Sequence, residues 1–218
     1  MGDESKGIEI RRQPSAKVTS VIAGGVTIGT QGRKVDLHLK RDQGHAYFLM
    51  DCSASMHGYK LEEAKQGIMD FARDAIKKEY LLGLIEFASS ATILCKPGQD
   101  MTLLEECLKT MQAKGGTNMA AAIKMAAEAL KDVEGERAIV VATDGQPDKV
   151  SAALNEAQAA KDAGFDIITI GTDDADQEFL KLLASRADLG RKVSAEKFAE
   201  GIASTAQLLP APRTIVKQ

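Results

Sequence analysis

From His45 onward, short apolar runs alternate with stretches in which apolar residues recur every three or four positions, the signatures of buried strands and amphipathic helices. The run Ala46-Tyr47-Phe48-Leu49-Met50 reads as a strand covered on both faces. It is followed by Leu61, Ala64, Ile68, Phe71 and Ala75, spaced as one helical face, with Glu62, Lys65, Gln66, Asp70 and Lys77 opposite. A second strand is expected from Tyr80 to Phe87. Only Ala88-Ser89-Ser90 separate it from the next run, Ala91 to Cys95, too little for a parallel crossover, so this pair is expected to be an antiparallel hairpin at a sheet edge. Thr102 and Glu105 form a candidate capping box for a helix that buries Leu104, Leu108 and Met111. An alanine-rich helix ending near Lys131, a strand over 138–142, a helix over 149–163, a strand over 166–170, a helix over 175–185, a short strand near Lys192-Val193 and a helix over 195–208 complete the series.

Such alternation predicts an α/β fold with a doubly wound, mainly parallel sheet and helices on both faces. Ahead of it, Val26 and Ile28, then Val35, Leu37 and Leu39 alternating with Asp36, His38 and Lys40, predict a β-hairpin turning at Gln31-Gly32. The expected organisation is a flexible arm over 1–17, a hairpin extension over 18–44, the main domain over 45–209 and a tail over 210–218 that Pro210 and Pro212 keep out of any helix.

Composition narrows the function. With 218 residues, 44% hydrophobic and 27% charged, the chain is an ordinary globular protein, and its net charge of −3 offers no attraction for nucleic acid. Aromatic residues make up only 4% and Trp is absent, so base-stacking platforms are poorly supplied. No apolar stretch approaches the roughly 20 residues of a membrane helix, and the polar N-terminus has no signal-peptide core. No membrane association and a cytoplasmic location are therefore expected. Cys52, Cys95 and Cys107 match neither a disulfide framework nor a zinc pattern and read as small hydrophobes. His38, His45 and His57 have no ligand spacing, and Met69, Met111 and Met125 fall at core-like helical positions.

Three polar loops fall after strands or before helices at what is expected to be the carboxyl edge of the sheet, where open α/β folds place their ligands. They carry Asp51-Cys52-Ser53-Ala54-Ser55, Gly115-Gly116-Thr117 and Thr143-Asp144-Gly145. Asp and Ser after a strand also make turns and caps, so the first loop alone leaves both readings open. Together the loops offer two carboxylates and several hydroxyls, oxygen-only donors of the kind a hard divalent cation takes, Mg²⁺ above all, with Mn²⁺ or Ca²⁺ as alternatives.

These residues resemble the von Willebrand factor A domain family. Asp51-x-Ser53-x-Ser55 is similar to its Asp-x-Ser-x-Ser, Thr117 to its threonine after a glycine loop, and Asp144 to its aspartate before glycine, over about 45–209. The resemblance implies a Rossmann-like sheet of six strands with one antiparallel edge. It also implies a metal-ion-dependent adhesion site whose Mg²⁺ is held by Asp51, Ser53, Ser55, Thr117 and Asp144, with one position left for a partner protein's Asp or Glu. The sequence around Asp144-Gly145-Gln146-Pro147-Asp148 is similar to stand-alone bacterial members. The expected function is then non-enzymatic, Mg²⁺-dependent protein binding in a bacterial assembly, with an AAA+ ATPase, kinase or phosphatase as candidate partner. The rival reading is a phosphatase-like enzyme using Asp51, against which stands Ser53 where such enzymes carry a second acid.

Overall fold

The computed structural model describes residues 17–22, 25–30, 33–98, 100–212 and 214–217, with side chains over 42–98 and 100–212. The chain divides into two compact units, Met1–Arg41 with Thr214–Gln218, and Asp42–Arg213.

In the first unit, strands β1 (Lys17–Ile22), β2 (Gly25–Thr30) and β3 (Arg33–Arg41) pair antiparallel in succession, and β10 (Thr214–Lys217) adds to β3. Ile28 faces Val35 and Val26 faces Leu37, so the alternating apolar positions pair in register across the hairpin. Most of the expected arm (1–16) and the Gln31-Gly32 turn lie outside the described residues. The segment expected as a tail is a strand, Ile215 opposite Lys40 and Val216 opposite Leu39. Four residues after a proline-broken stretch carry little signal of their own; their pairing is supplied by β3, distant in sequence.

The second unit is a six-stranded sheet in the order β6-β5-β4-β7-β8-β9. Its strands are β4 (Gly44–Asp51), β5 (Tyr80–Phe87), β6 (Ala91–Cys95), β7 (Arg137–Thr143), β8 (Asp166–Gly171) and β9 (Gly190–Lys192). All neighbours run parallel except β5 and β6, the expected antiparallel edge. The helices are α1 (Tyr59–Lys77), α2 (Met101–Thr110), α3 (Met119–Leu130), α4 (Val150–Asp162), α5 (Gln177–Leu183) and α6 (Phe198–Ser204). Period-two geometry sends Ala46, Phe48 and Met50 into one apolar layer with α1, α2 and α6, and Tyr47 and Leu49 into the other with α3, α4 and α5. Among the described residues no helix is long and apolar enough to cross a membrane.

Three helices depart from their sequence pattern, each for a visible hydrogen-bonding reason. Asp100, not Thr102, caps α2, its carboxylate accepting the Leu103 N–H at 2.8 Å. Asp176 accepts from the N–H groups of Glu178 and Phe179 and so starts α5 late, while the Ser185 N–H bonds to Ile167 O at 3.0 Å and draws the chain onto β8. Over 195–208 the expected single helix is α6 flanked by 3₁₀ turns. At its end Ser204 Oγ donates to Gly201 O at 2.7 Å and Thr205 Oγ1 to Ile202 O at 2.6 Å, three residues back, where hydroxyls compete for the helix carbonyls.

Candidate functional site

Asp51 is the last residue of β4, and Asp144 directly follows β7, its parallel neighbour. The register places Met50 beside Ala142, which brings Asp51 and Thr143 side by side one residue later. Asp51 is fully buried: its Oδ2 accepts from Thr143 Oγ1 at 2.6 Å and its Oδ1 from the Ser53 N–H at 2.8 Å. Burial pushes its carboxyl up to about 6, against the pull of those two hydrogen bonds and with a smaller push from the charge of Asp144. Ser53 Oγ lies 3.0 Å from Ser55 Oγ, and Ser55 Oγ donates to Asp144 Oδ1 at 2.7 Å. Asp144 is only 2% exposed, whereas Ser55 lies at the surface, so the cluster opens to solvent on the serine side.

Thr117 comes from a third loop that the backbone holds against the first. The Lys114 N–H donates to Cys52 O at 2.7 Å and the Ala54 N–H to Gly115 O at 3.2 Å. Gly115 has φ +69°, in the region that favours glycine, and a Cβ there would lie 2.5 Å from Ser89 Oγ. Thr117 is then fixed by Asp148, whose Oδ1 accepts the Thr117 N–H at 3.0 Å while its own N–H donates to Thr117 O at 3.0 Å. The structure thus joins Asp51, Ser53, Ser55 and Asp144 through side-chain or backbone hydrogen bonds, and brings Thr117 to their edge through its backbone.

Four more residues belong to this cluster: Thr143 and Asp148, which stand in loops noted in the sequence but had no role assigned there, and Lys60 and Asp173, which were not singled out. Thr143 and Asp148 orient Asp51 and Thr117, as above. Lys60, in the first turn of α1, donates to Asp144 Oδ2, and its Nζ is 3.3 Å from Asp173 Oδ2 in the loop after β8. Burial alone would lower the Lys60 pKa, but its bonds to Asp144 and Asp173 outweigh this and raise it. Nothing in its local pattern marks it, because the acids it meets lie more than eighty residues away. Among the described residues no three or more His, Cys, Asp or Glu side chains are arranged to hold a metal ion, so a cation here depends on hydroxyls beside carboxylates.

Comparison with known proteins agrees with the fold. The sequence model of the von Willebrand factor type A domain matches residues 46–207, and the chain belongs to that family. It is 28% identical over 164 residues to a UPF0353 protein of Mycobacterium tuberculosis and 27% identical to one of Mycobacterium marinum, in each case over 66% of this chain and 49% of the relative. It spans about half the length of these curated relatives. Among solved structures it is similar to the vWF domain of the type V pili tip protein Mfa5 from Porphyromonas gingivalis. That likeness has TM-score 0.69 and 15% identity over 78% of this chain and 95% of that one. It is also similar to proximal thread matrix protein 1 from the mussel byssus with a zinc-occupied MIDAS motif, at TM-score 0.66 and 17% identity over 82% and 48% of the two chains.

Proposed function

We propose that this chain is a divalent-cation-dependent protein-binding module that takes an Asp or Glu of a partner protein. The carrying observation is the donor set: two buried carboxylates, one ending β4 and one just after β7, linked through the Ser53 N–H and the Ser53 and Ser55 hydroxyls. The residues fit a hard cation on chemistry, being oxygen donors throughout, and on charge. A carboxyl pushed up to about 6 by burial belongs to a site that gains from added positive charge. Asp51, Ser53, Ser55, Thr117 and Asp144 would hold the ion, with Mg²⁺ favoured and Mn²⁺ or Ca²⁺ as alternatives. Bound there, it would supply an electrophile for an incoming carboxylate, because two carboxylates balance its charge and the other donors are neutral.

The protein's own residues do the positioning. Thr143 and the Ser53 N–H aim Asp51, Ser55 ties the first loop to Asp144, and Asp148 pins the Thr117 loop. A phosphatase role for Asp51 finds less support: both its oxygens already accept hydrogen bonds, from the Ser53 N–H and Thr143 Oγ1, and Ser53 stands where such an enzyme would carry its second acid. A pilus-tip protein and a byssal matrix protein among the structural neighbours are consistent with binding rather than catalysis. Mg²⁺ titration by calorimetry into wild type and Asp51→Ala tests the site: binding by wild type alone is expected, and equal heats from both would refute the assignment. Partner capture from lysate is expected to vanish in EDTA and return with Mg²⁺.

A further inference from the structure

We propose that Lys60 is a tethered counter-ion that competes with the divalent cation for Asp144 and thereby sets the cation affinity of the site, with Asp173 as the alternative partner of its ammonium. This rests on the reading of the site as a cation centre. Both oxygens of Asp144 are engaged, Oδ1 by Ser55 Oγ and Oδ2 by Lys60 Nζ. The two partners differ in kind. A hydroxyl can turn its proton away and offer a lone pair, so Ser55 can stay beside a cation as a neutral donor. An ammonium has three donors and no lone pair, and it repels a divalent ion. For a cation to use Asp144, Lys60 must withdraw.

The structure shows where it can withdraw to. Asp173 Oδ2 lies 3.3 Å from the same Nζ and is 35% exposed, against 1% for the Asp144 side chain. Asp173 has φ +48°, a left-handed backbone that Asp tolerates better than most residues. The Lys60 side chain is itself 23% exposed and anchored in the first turn of α1, so a rotation about its flexible stem, without movement of the helix, carries the charge from one acid to the other. Two consequences follow. The pair Asp51 and Asp144 is never without a nearby positive charge, which limits their mutual repulsion. Binding of the ion is an exchange of one cation for another, weaker and more readily reversed than binding to bare carboxylates.

The test is Mg²⁺ affinity by calorimetry, with thermal melting in EDTA and in Mg²⁺, for wild type, Lys60→Met and Lys60→Arg. Lys60→Met, which keeps length and loses charge, is expected to bind Mg²⁺ about tenfold more tightly, a change of about 1.4 kcal/mol. It is also expected to melt below wild type in EDTA and to gain more from Mg²⁺; Lys60→Arg stays close to wild type. Equal or weaker Mg²⁺ binding by Lys60→Met overturns the counter-ion role while leaving the cation site intact. Absence of binding by both wild type and Lys60→Met overturns the cation site and the counter-ion role with it. Should Lys60→Met not fold, Asp173→Asn decides: removing the alternative partner is expected to weaken Mg²⁺ binding severalfold, and unchanged binding overturns the proposal.

Discussion

Replacing Asp51 by Asn keeps the shape of the site and removes one charge, so it separates the stability of the fold from its use. Burial pushes the Asp51 carboxyl up to about 6 from an ordinary 3.8, so at about 1.4 kcal/mol per tenfold change its ionisation costs the fold about 3 kcal/mol near neutral pH. The amide can still accept the Ser53 N–H. Its NH₂ group then faces Thr143 Oγ1, which can accept it and turn its own proton to Gly145 O, 3.2 Å away. The loss of the charge-assisted bonds is already contained in that figure, because they pull the carboxyl down against burial. The net expectation in EDTA at about pH 7.5 is a variant more stable than wild type by about 3 kcal/mol, or a rise in Tm of about 8 °C for a unit of this size. The sign reverses with the ion: Mg²⁺ raises the Tm of wild type and leaves the variant unchanged. Because the folded-state pKa of this acid is raised, the cost is present above about pH 6 and is lost below about pH 4, where wild type and variant converge. Urea or thermal melts monitored by circular dichroism from about pH 4 to 7.5 read all of this. A variant no more stable than wild type in EDTA at the higher pH would falsify the account of Asp51 as a charge held at a cost.

Two further predictions concern the scaffold. Gly67 of α1 lies against α6, where an added Cβ would stand 2.7 Å from Ala199 O and 2.8 Å from Ile202 Cβ. Backbone cannot give way, so Gly67→Ala is expected to lower stability in urea melts by about 1–3 kcal/mol, and a neutral result would show that the two helices can part freely. Burial lowers the pKa of His45, against a smaller upward pull from the Gln43 backbone, and its Nδ1 has no hydrogen-bond partner. A depressed folded-state pKa contributes stability that is complete above the ordinary value of 6.5 and is lost as pH falls through the folded value. His45→Gln is expected to flatten that acid-side loss; melts with the same pH slope in both proteins would assign it elsewhere.

Much of this was legible along the chain because it is local. A five-residue apolar run is a buried strand wherever its neighbours lie, and three residues between Phe87 and Ala91 permit only a hairpin. Two carboxylates at the ends of such runs, with Ser53, Ser55 and Thr117 in neighbouring loops, mark a polar edge and so a candidate cation site before any strand order is known. Helix limits were less legible, since Asp100 took the cap that Thr102 also offered, Asp176 started α5 later than its pattern implied, and hydroxyls at Ser204 and Thr205 tightened the last helix.

What the sequence alone determined is therefore the set of elements and the chemistry carried at their ends, both functions of residue type and spacing. Only the tertiary structure decided which ends meet. The placement of β4 between β5 and β7 puts Thr143 on Asp51, and the packing of α1 brings the Lys60 ammonium to two acids from distant loops. The same holds for β10, which becomes a strand because β3 offers it an edge. Pairings of this kind depend on long-range contacts between segments whose own patterns are silent about their partners, and in this protein they determine the charge balance of the site.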